Sequence, residues 1–481
     1  MSAPSPYALD TRYWDDYLTE VARKYHVPGI VAGVLSLDSQ TGSSQRLVSS
    51  TGVTSLRTGI STDPSTVCQI GSITKLVTAT MIMQLRDEGK LGLESKVTDL
   101  LPELTLDPTH TDDISVWNLL THTSGIDGDI FTDTGRGADA IERFVQRMRS
   151  VESLFRPSKG WSYCNSGFIL AGRIIEVFDQ RSWTESVRAR ITEPLGLGTF
   201  YTLPEEVLVN RYQVGHVRSP GQSAWSPVPI PDMQRGRGPA GVIVSNADDL
   251  LTFGEAFLRG GDTGGGENLL PPQTISEMLA PAWSLAPAPA SVAAPHWGLG
   301  WMLNTWDGHK TAGHGGTKLG NKAWFEILPE DGLAMVVFCN GGIVPTAGDE
   351  ICTAFAEAFT GAAPAGPSLP TGPATEAELA EKWLGTYSDA GTTLTVTKTA
   401  EGLQASIDQS RIRNNQDASK STSSTVSPSP TPLLPAAGEA QFLTRSDHLS
   451  PWTSVAFTEV DDNPCAYVGI RCLPQREPSV G

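Results

Sequence analysis

The stretch ITKLVTATMIMQL (residues 73–85) constrains this chain more than any other. Read as a helix, it is apolar or small on nearly every side, so it has no polar face to turn to water and belongs inside the fold. One residue contradicts that setting. Lys75 falls in the first turn, and burying an ammonium costs on the order of several kcal/mol unless it is paired or neutralised. Ser72 precedes it by three positions, which puts both side chains on one face, one helical turn apart. Taken alone, the pair reads as a capping serine and an ordinary surface lysine. On a buried helix it reads differently: a desolvated amine stays partly neutral beside a hydroxyl and can take its proton. The helix N-terminus adds free N–H groups and a positive dipole end for an oxyanion. The helix is expected to end near Gly89, a C-terminal cap.

The 481 residues suffice for two or more domains, or one large domain with additions. Hydrophobic residues are 39% and charged residues 18%, which describes a globular rather than a disordered chain. Lys plus Arg is 35 against 53 for Asp plus Glu, a net charge of −18. Nucleic acid and anionic membrane surfaces need clustered Lys and Arg, so neither is expected as a partner. MSAPSPYALDTRYWDDYLTE lacks the basic start and apolar run of a secretory signal, and no apolar run reaches the ~18 residues of a membrane span. The six cysteines show no metal-ligand spacing, and reduced thiols are expected, with only Cys465 and Cys472 close enough for a local bridge. A cytoplasmic protein is the resulting expectation. No phosphate loop or His/Cys cluster implies a cofactor, so none is expected, and the oligomeric state is not legible.

Along the chain, VPGIVAGVLSL (27–37) and SSQRLVSSTG (43–52) suggest a hairpin. Helical periodicity marks residues 138–149 and the segment from Gly167, and Asn246 caps a third helix, NADDLLTFGEAFLRGG. WGLGWMLN, KAWFEILP and GLAMVVFCN follow as short strands of an antiparallel sheet. A hairpin, a helical block and late strands predict an α+β domain over residues 1–362, whose first and last strands share a sheet. A Pro/Gly/Ala linker at 363–375 leads to a small, barrel-like β domain at 376–481. Within it the polar Ser/Thr/Pro-rich stretch near 412–438 is expected to be a disordered loop.

The motifs gain weight in combination. GSITK (71–75) resembles the S-x-x-K motif of serine β-lactamases and penicillin-binding proteins. WSYCNSG (161–167) is similar to the Y-x-N motif of the class C β-lactamase branch, and AGHGGTKLG (312–320) occupies the place of its K-T-G motif. LLTHTSG (119–125) and GPAGVIVSNADDLLTFG (238–254) also resemble family landmarks, so the resemblance covers roughly residues 15–360. It implies a β-lactamase-like fold, an antiparallel sheet flanked by helices plus a helical subdomain. It implies Ser72 as nucleophile, with Lys75 and Tyr163 sharing the general-base role. Both normally titrate near or above pH 10, so proximity must lower one of them. Asn165 would orient Lys75 and the substrate amide. His314, Gly315, Gly316 and Thr317 would line the substrate, with the N–H groups of Ser72 and Thr317 forming the oxyanion hole.

Read singly, Tyr163 is a half-buried core phenol, Asn165 a helix cap, His314 an exposed loop residue and His122 a structural residue. Trp297, Trp301 and Trp324 read as core packing, and Cys164 as a small filler pointing away from the site. One departure matters most: His314 stands where the family has a lysine that binds a substrate carboxylate. A mostly neutral imidazole weakens that recognition, as in the esterases and D-aminopeptidases of the same superfamily. The leading expectation is a serine hydrolase acting on a small-molecule or peptide ester or amide. The alternatives are an acyltransferase of the same fold, acting on a metabolite, and a catalytically silent binding protein.

Overall fold

The structure, a computed structural model, describes the chain apart from residues 1–4, 6, 107–112, 129–131, 219–221, 223, 229–232, 267, 286–293, 345, 365, 367, 410–428, 448–449 and 477–481. Helix α1 (Thr11–Tyr25) opens on Asp10, whose carboxylate accepts from the Arg12 N–H at 2.9 Å. It leads into the hairpin β1 (Gly29–Leu37) and β2 (Ser44–Gly52). Six more strands come late: β3 (Trp283–Ser284), β4 (His296–Trp297), β5 (Met302–Trp306), β6 (His309–Lys318), β7 (Asn321–Leu328) and β8 (Leu333–Cys339). Together they form one antiparallel sheet in the order β2-β1-β8-β7-β6-β5-β4-β3. The hairpin and the last strand meet in register, Ile30 opposite Cys339 and Ser36 opposite Leu333, as the sequence order predicts. Continuous apolar runs are the mark of strands covered on both faces, and every residue of β8 is buried.

Alternate residues of β8 serve two cores. Met335 and Val337 pack with Trp14 and Leu18 of α1 and with Phe355 of α6 (Thr346–Thr360). Val336 and Phe338 belong to the opposite core, with α2 (Thr74–Asp87), α3 (Val116–Thr121), α4 (Asn165–Asp179) and α5 (Ala247–Leu258). Helix α2 is buried from Thr74 to Met83, as its all-round apolar surface requires. Asn246 does cap α5, accepting from the Asp249 N–H at 2.8 Å.

After residue 376 nine short strands run as β9 (Gly385–Ser388), β10 (Thr393–Thr399), β11 (Gly402–Asp408), β12 (Thr431–Pro432), β13 (Leu434–Pro435), β14 (Gln441–Thr444), β15 (Thr453–Val460), β16 (Asn463–Val468) and β17 (Arg471–Arg476). Their order, β12-β11-β10-β9-β17-β16-β15-β14-β13, puts two consecutive dipeptides at its two ends. The sheet is thereby a nearly closed barrel. This corrects the expectation of disorder near 412–438 for its last part, residues 429–438. Thr431 pairs with Ala405 and Leu434 with Leu443, and Leu433 between them is wholly buried against the barrel core. Its prolines stand at the sheet's two ends, where a missing N–H is tolerated. Residues 412–428 of that stretch lie outside the described residues. Cys465 and Cys472, on neighbouring strands, are free buried thiols like the other four cysteines. Among the described residues no helix is long and apolar enough to cross a membrane.

Candidate active site

Ser72 lies in a 3₁₀ turn, Gly71–Ile73, that feeds directly into α2. Gly71 has a φ of +55°, a conformation glycine adopts without steric cost. One turn on, the wholly buried Lys75 reaches three oxygens: Ser72 Oγ at 3.0 Å, Asn165 Oδ1 at 2.8 Å and the Ala240 carbonyl at 2.6 Å. Its Nζ also stands 4.8 Å from the centre of the Tyr163 ring. The Ala240 carbonyl belongs to the segment read as a landmark at 238–254. That segment is fixed against the serine turn by the pairing of Cys68–Gln69 with Val244–Ser245 and by a bond from the Ile70 N–H to the Ile243 carbonyl at 2.9 Å.

Tyr163 and Asn165 arrive at the start of α4. Cys164 holds the N-cap position, its Sγ accepting from the Gly167 N–H at 3.2 Å, while its side chain packs into the helical core. Asn165 is therefore not the cap; its carboxamide is given to Lys75. His122 explains why this segment is held. It ends α3 in the left-handed region at φ 60°. Its Nδ1 accepts from the Cys164 N–H at 2.9 Å and its ring lies 4.3 Å from that of Tyr163. Burial, then Lys75, His314 and Arg471, push its pKa well below the usual value, so it is neutral.

Strand β6 forms the opposite wall. A Cβ on Gly316 would lie 1.9 Å from the Ile70 carbonyl oxygen, and one on Gly71 would lie 2.8 Å from the Thr317 nitrogen. Only glycines allow this approach, which sets the Thr317 amide beside the serine turn. At Gly315 a Cβ would meet its nearest neighbours at 3.9 Å and 4.0 Å, so crowding does not demand glycine there. His314 is buried rather than an exposed loop residue. Its Nδ1 lies 2.6 Å from the Gly315 carbonyl, which can only accept, so Nδ1 carries the proton and Nε2 faces the Tyr163 hydroxyl at 3.3 Å. Burial, and then the Lys75 charge, push the His314 pKa down to about 3.

Trp301 and Trp324 are core residues; Trp324 bonds Asp349 at 3.0 Å on the far face of the sheet. Trp297 is buried as well, but directly behind the site, 5.7 Å from the His314 ring and 6.0 Å from that of Tyr163. The barrel is the contributor whose role the sequence leaves unread. The Tyr163 N–H donates to the Ile470 carbonyl at 3.1 Å, the Cys472 N–H to Ser162 Oγ at 3.2 Å, and the Tyr467 hydroxyl to the Trp161 carbonyl at 2.7 Å. The Arg471 guanidinium lies over the Tyr163 ring at 4.8 Å. Among the described residues no group of three or more His, Cys, Asp or Glu is placed to hold a metal ion.

Residues 14–351 match the family model described as Beta-lactamase. Over 343 residues the chain is 34% identical to "Penicillin-binding protein 4" of Amycolatopsis lactamdurans, covering 70% of this chain and 86% of that protein. It is 26% identical over 292 residues to "Esterase EstB" of Burkholderia gladioli, covering 52% of this chain and 71% of that protein. The solved structure of SurE superposes with a TM-score of 0.75 over 97% of this chain and 99% of its own, at 24% identity, a likeness of fold that includes the barrel.

Proposed function

The chain belongs to the Beta-lactamase family and is a serine hydrolase, and we propose that it cleaves an ester or amide of a small molecule or peptide through an acyl-enzyme on Ser72. The observation that carries this reading is Lys75, buried, with its amine within hydrogen-bond reach of Ser72 Oγ, Asn165 Oδ1 and Ala240 O together. The two oxygens of Asn165 and Ala240 accept only. Once Lys75 gives up its proton, the neutral amine keeps its N–H groups on these two oxygens and turns its lone pair to the serine hydroxyl, which is the arrangement a general base needs. The buried, neutral His314 offers Nε2 as an acceptor, so the resting Tyr163 donates its hydroxyl proton to it. This favours Lys75 as the group that takes the serine proton, with Tyr163 passing a proton on to the leaving group.

Ser72 Oγ then attacks the carbonyl carbon, and the oxyanion forms against the N–H groups of Ser72 and Thr317. Collapse expels the leaving alcohol or amine with the relayed proton and leaves the acyl group on Ser72. Water, deprotonated by the same base, releases the acid. Asn165 holds the amine in place, and the Gly316 contact keeps β6 against the serine turn. Intact-mass measurement after exposure to a fluorophosphonate tests the proposal. Wild type should gain one phosphonyl group on Ser72, and Ser72→Ala should gain none and lose essentially all p-nitrophenyl acetate turnover. Turnover within about tenfold of wild type in Ser72→Ala would sink the assignment.

A further inference from the structure

We propose that Arg471, from the barrel, supplies the fixed positive charge beside the base pair of the site, and so sets the pH at which Ser72 becomes reactive. The inference rests on the acyl-enzyme reading above. The position normally expected to carry a cation here is His314, and that imidazole is neutral. Arg471 brings a charge that no accessible pH removes. Its backbone is clamped on both sides: Ile470 accepts from the Tyr163 N–H and Cys472 donates to Ser162 Oγ. The residue between them is therefore held in a fixed place relative to Tyr163. The result is a phenol ring with Arg471 at 4.8 Å and the Lys75 amine also at 4.8 Å from its centre.

Among the described residues, the groups that face this pair include Lys75 from α2, His122 from the end of α3, His314 from β6 and Arg471 from the start of β17. Both histidines are neutral, for burial outweighs every other influence on them. A guanidinium that shares the phenol ring with Lys75 favours the neutral amine through their like charges, and beside Tyr163 it favours loss of the phenol proton. The two effects have the same consequence. Whichever of the two groups carries the proton of Ser72, Arg471 lowers the pH at which it is free to do so. Arg471 is thus a positioning residue acting through Lys75 and Tyr163, not a group that touches the reacting atoms.

The test is the pH dependence of fluorophosphonate labelling of Ser72, followed by mass, with kcat and KM for p-nitrophenyl acetate measured alongside. In Arg471→Gln the acid limb should move up by about one pH unit, slowing labelling at neutral pH by roughly tenfold while the alkaline plateau is kept. Arg471→Lys should restore most of the shift, and His314→Lys in the Arg471→Gln background should restore part of it. If Arg471→Gln misfolds, Arg471→Met, which keeps the apolar stem over the ring, carries the same expectation. An unmoved acid limb in the folded variant would overturn the inference. So would an equal loss of rate at every pH, or an effect confined to KM for anionic esters, since these are the marks of packing or of substrate binding. Failure of wild type to label at Ser72 would remove the acyl-enzyme reading itself; labelling with an unmoved limb removes only the role of Arg471.

Discussion

Two imidazoles in the site are held neutral, and acid should destabilise the protein through them. His314 is 3% exposed, with its pKa pushed from 6.5 down to about 3 by burial and then by Lys75. The wholly buried His122 is pushed down for the same first reason. In the unfolded chain both titrate near 6.5. Below that pH the unfolded state binds a proton that the folded state refuses, so stability is present above 6.5 and is lost as pH falls. One such proton is worth about 1.4 kcal/mol per pH unit, so between pH 6.5 and 5 His314 alone should cost about 2 kcal/mol.

Glu326 works in the other direction. Burial, then Asp349, push its pKa up to about 8, so between 4.5 and 8 the folded carboxyl keeps a proton that the unfolded chain releases. Its contribution falls as pH rises, and over part of the window it offsets one histidine. A difference between two proteins cancels it. Urea unfolding of wild type and His314→Gln at pH 7.5, 6.5, 5.5 and 5.0 should show the gap between them shifting by about 2 kcal/mol in favour of the variant from pH 6.5 to 5. Parallel stability curves would refute the buried, neutral imidazole on which the reading of the site depends.

His314→Lys should move preference towards carboxylate-bearing substrates by at most ~2 to 3 kcal/mol, the scale of one charge-assisted hydrogen bond. The measurement is kcat/KM for p-nitrophenyl acetate and for a penicillin on both proteins; efficient penicillin hydrolysis by wild type would contradict it. Gly316→Ala should lower kcat by about 100-fold, because the added Cβ, 1.9 Å from the Ile70 oxygen, forces β6 away from the serine turn and its oxyanion donor. Gly315→Ala is the control, expected to stay within about threefold, since its Cβ has ordinary contacts only. Deleting residues 412–428 should leave folding and turnover unchanged, whereas Leu433→Ala should cost about 2 to 5 kcal/mol in chemical denaturation because that side chain is wholly buried. Equal effects from the two changes would mean that Leu433 does not close the barrel.

What could be read from the sequence was local. Ser72 and Lys75 stood out because an ammonium on a helix without a polar face is a contradiction that the next residues display. Tyr163 and Asn165 were found only because their motif lies in order with that one. The Ala240 carbonyl was invisible as a partner of Lys75, since every residue type carries the same backbone oxygen. Helix α1 shows Trp14, Leu18 and Val21 on one face, a signal that was there to be found, and the Ala-rich α6 hides a similar face in Ile351 and Phe355. Leu433 was lost in a stretch whose Ser, Thr and Pro content argues for disorder. One buried leucine flanked by prolines does not change a compositional average, yet it decides where the barrel closes.

The hardest feature to foresee was that the barrel touches the chemistry. Ser162 and Cys472 are 310 positions apart, and no periodicity links two segments so distant. Their contact is nevertheless part of the site's support. Tyr163 and Trp161 share an apolar cluster with Trp297, Val460, Cys465, Tyr467 and Cys472. Around it lie the bond from the Ala390 N–H to Asp127 at 2.6 Å and the Arg156–Asp461 ion pair. Free of the barrel, the Tyr163 N–H and the Trp161 carbonyl would need new partners, and a buried aromatic surface would face water. The position of the phenol is therefore coupled to the folding of the barrel. In this chain the sheet-and-helix scaffold sets Ser72, Lys75 and the Gly316 strand that packs on the serine turn, while the β domain holds the Tyr163 backbone and presents a guanidinium to its ring.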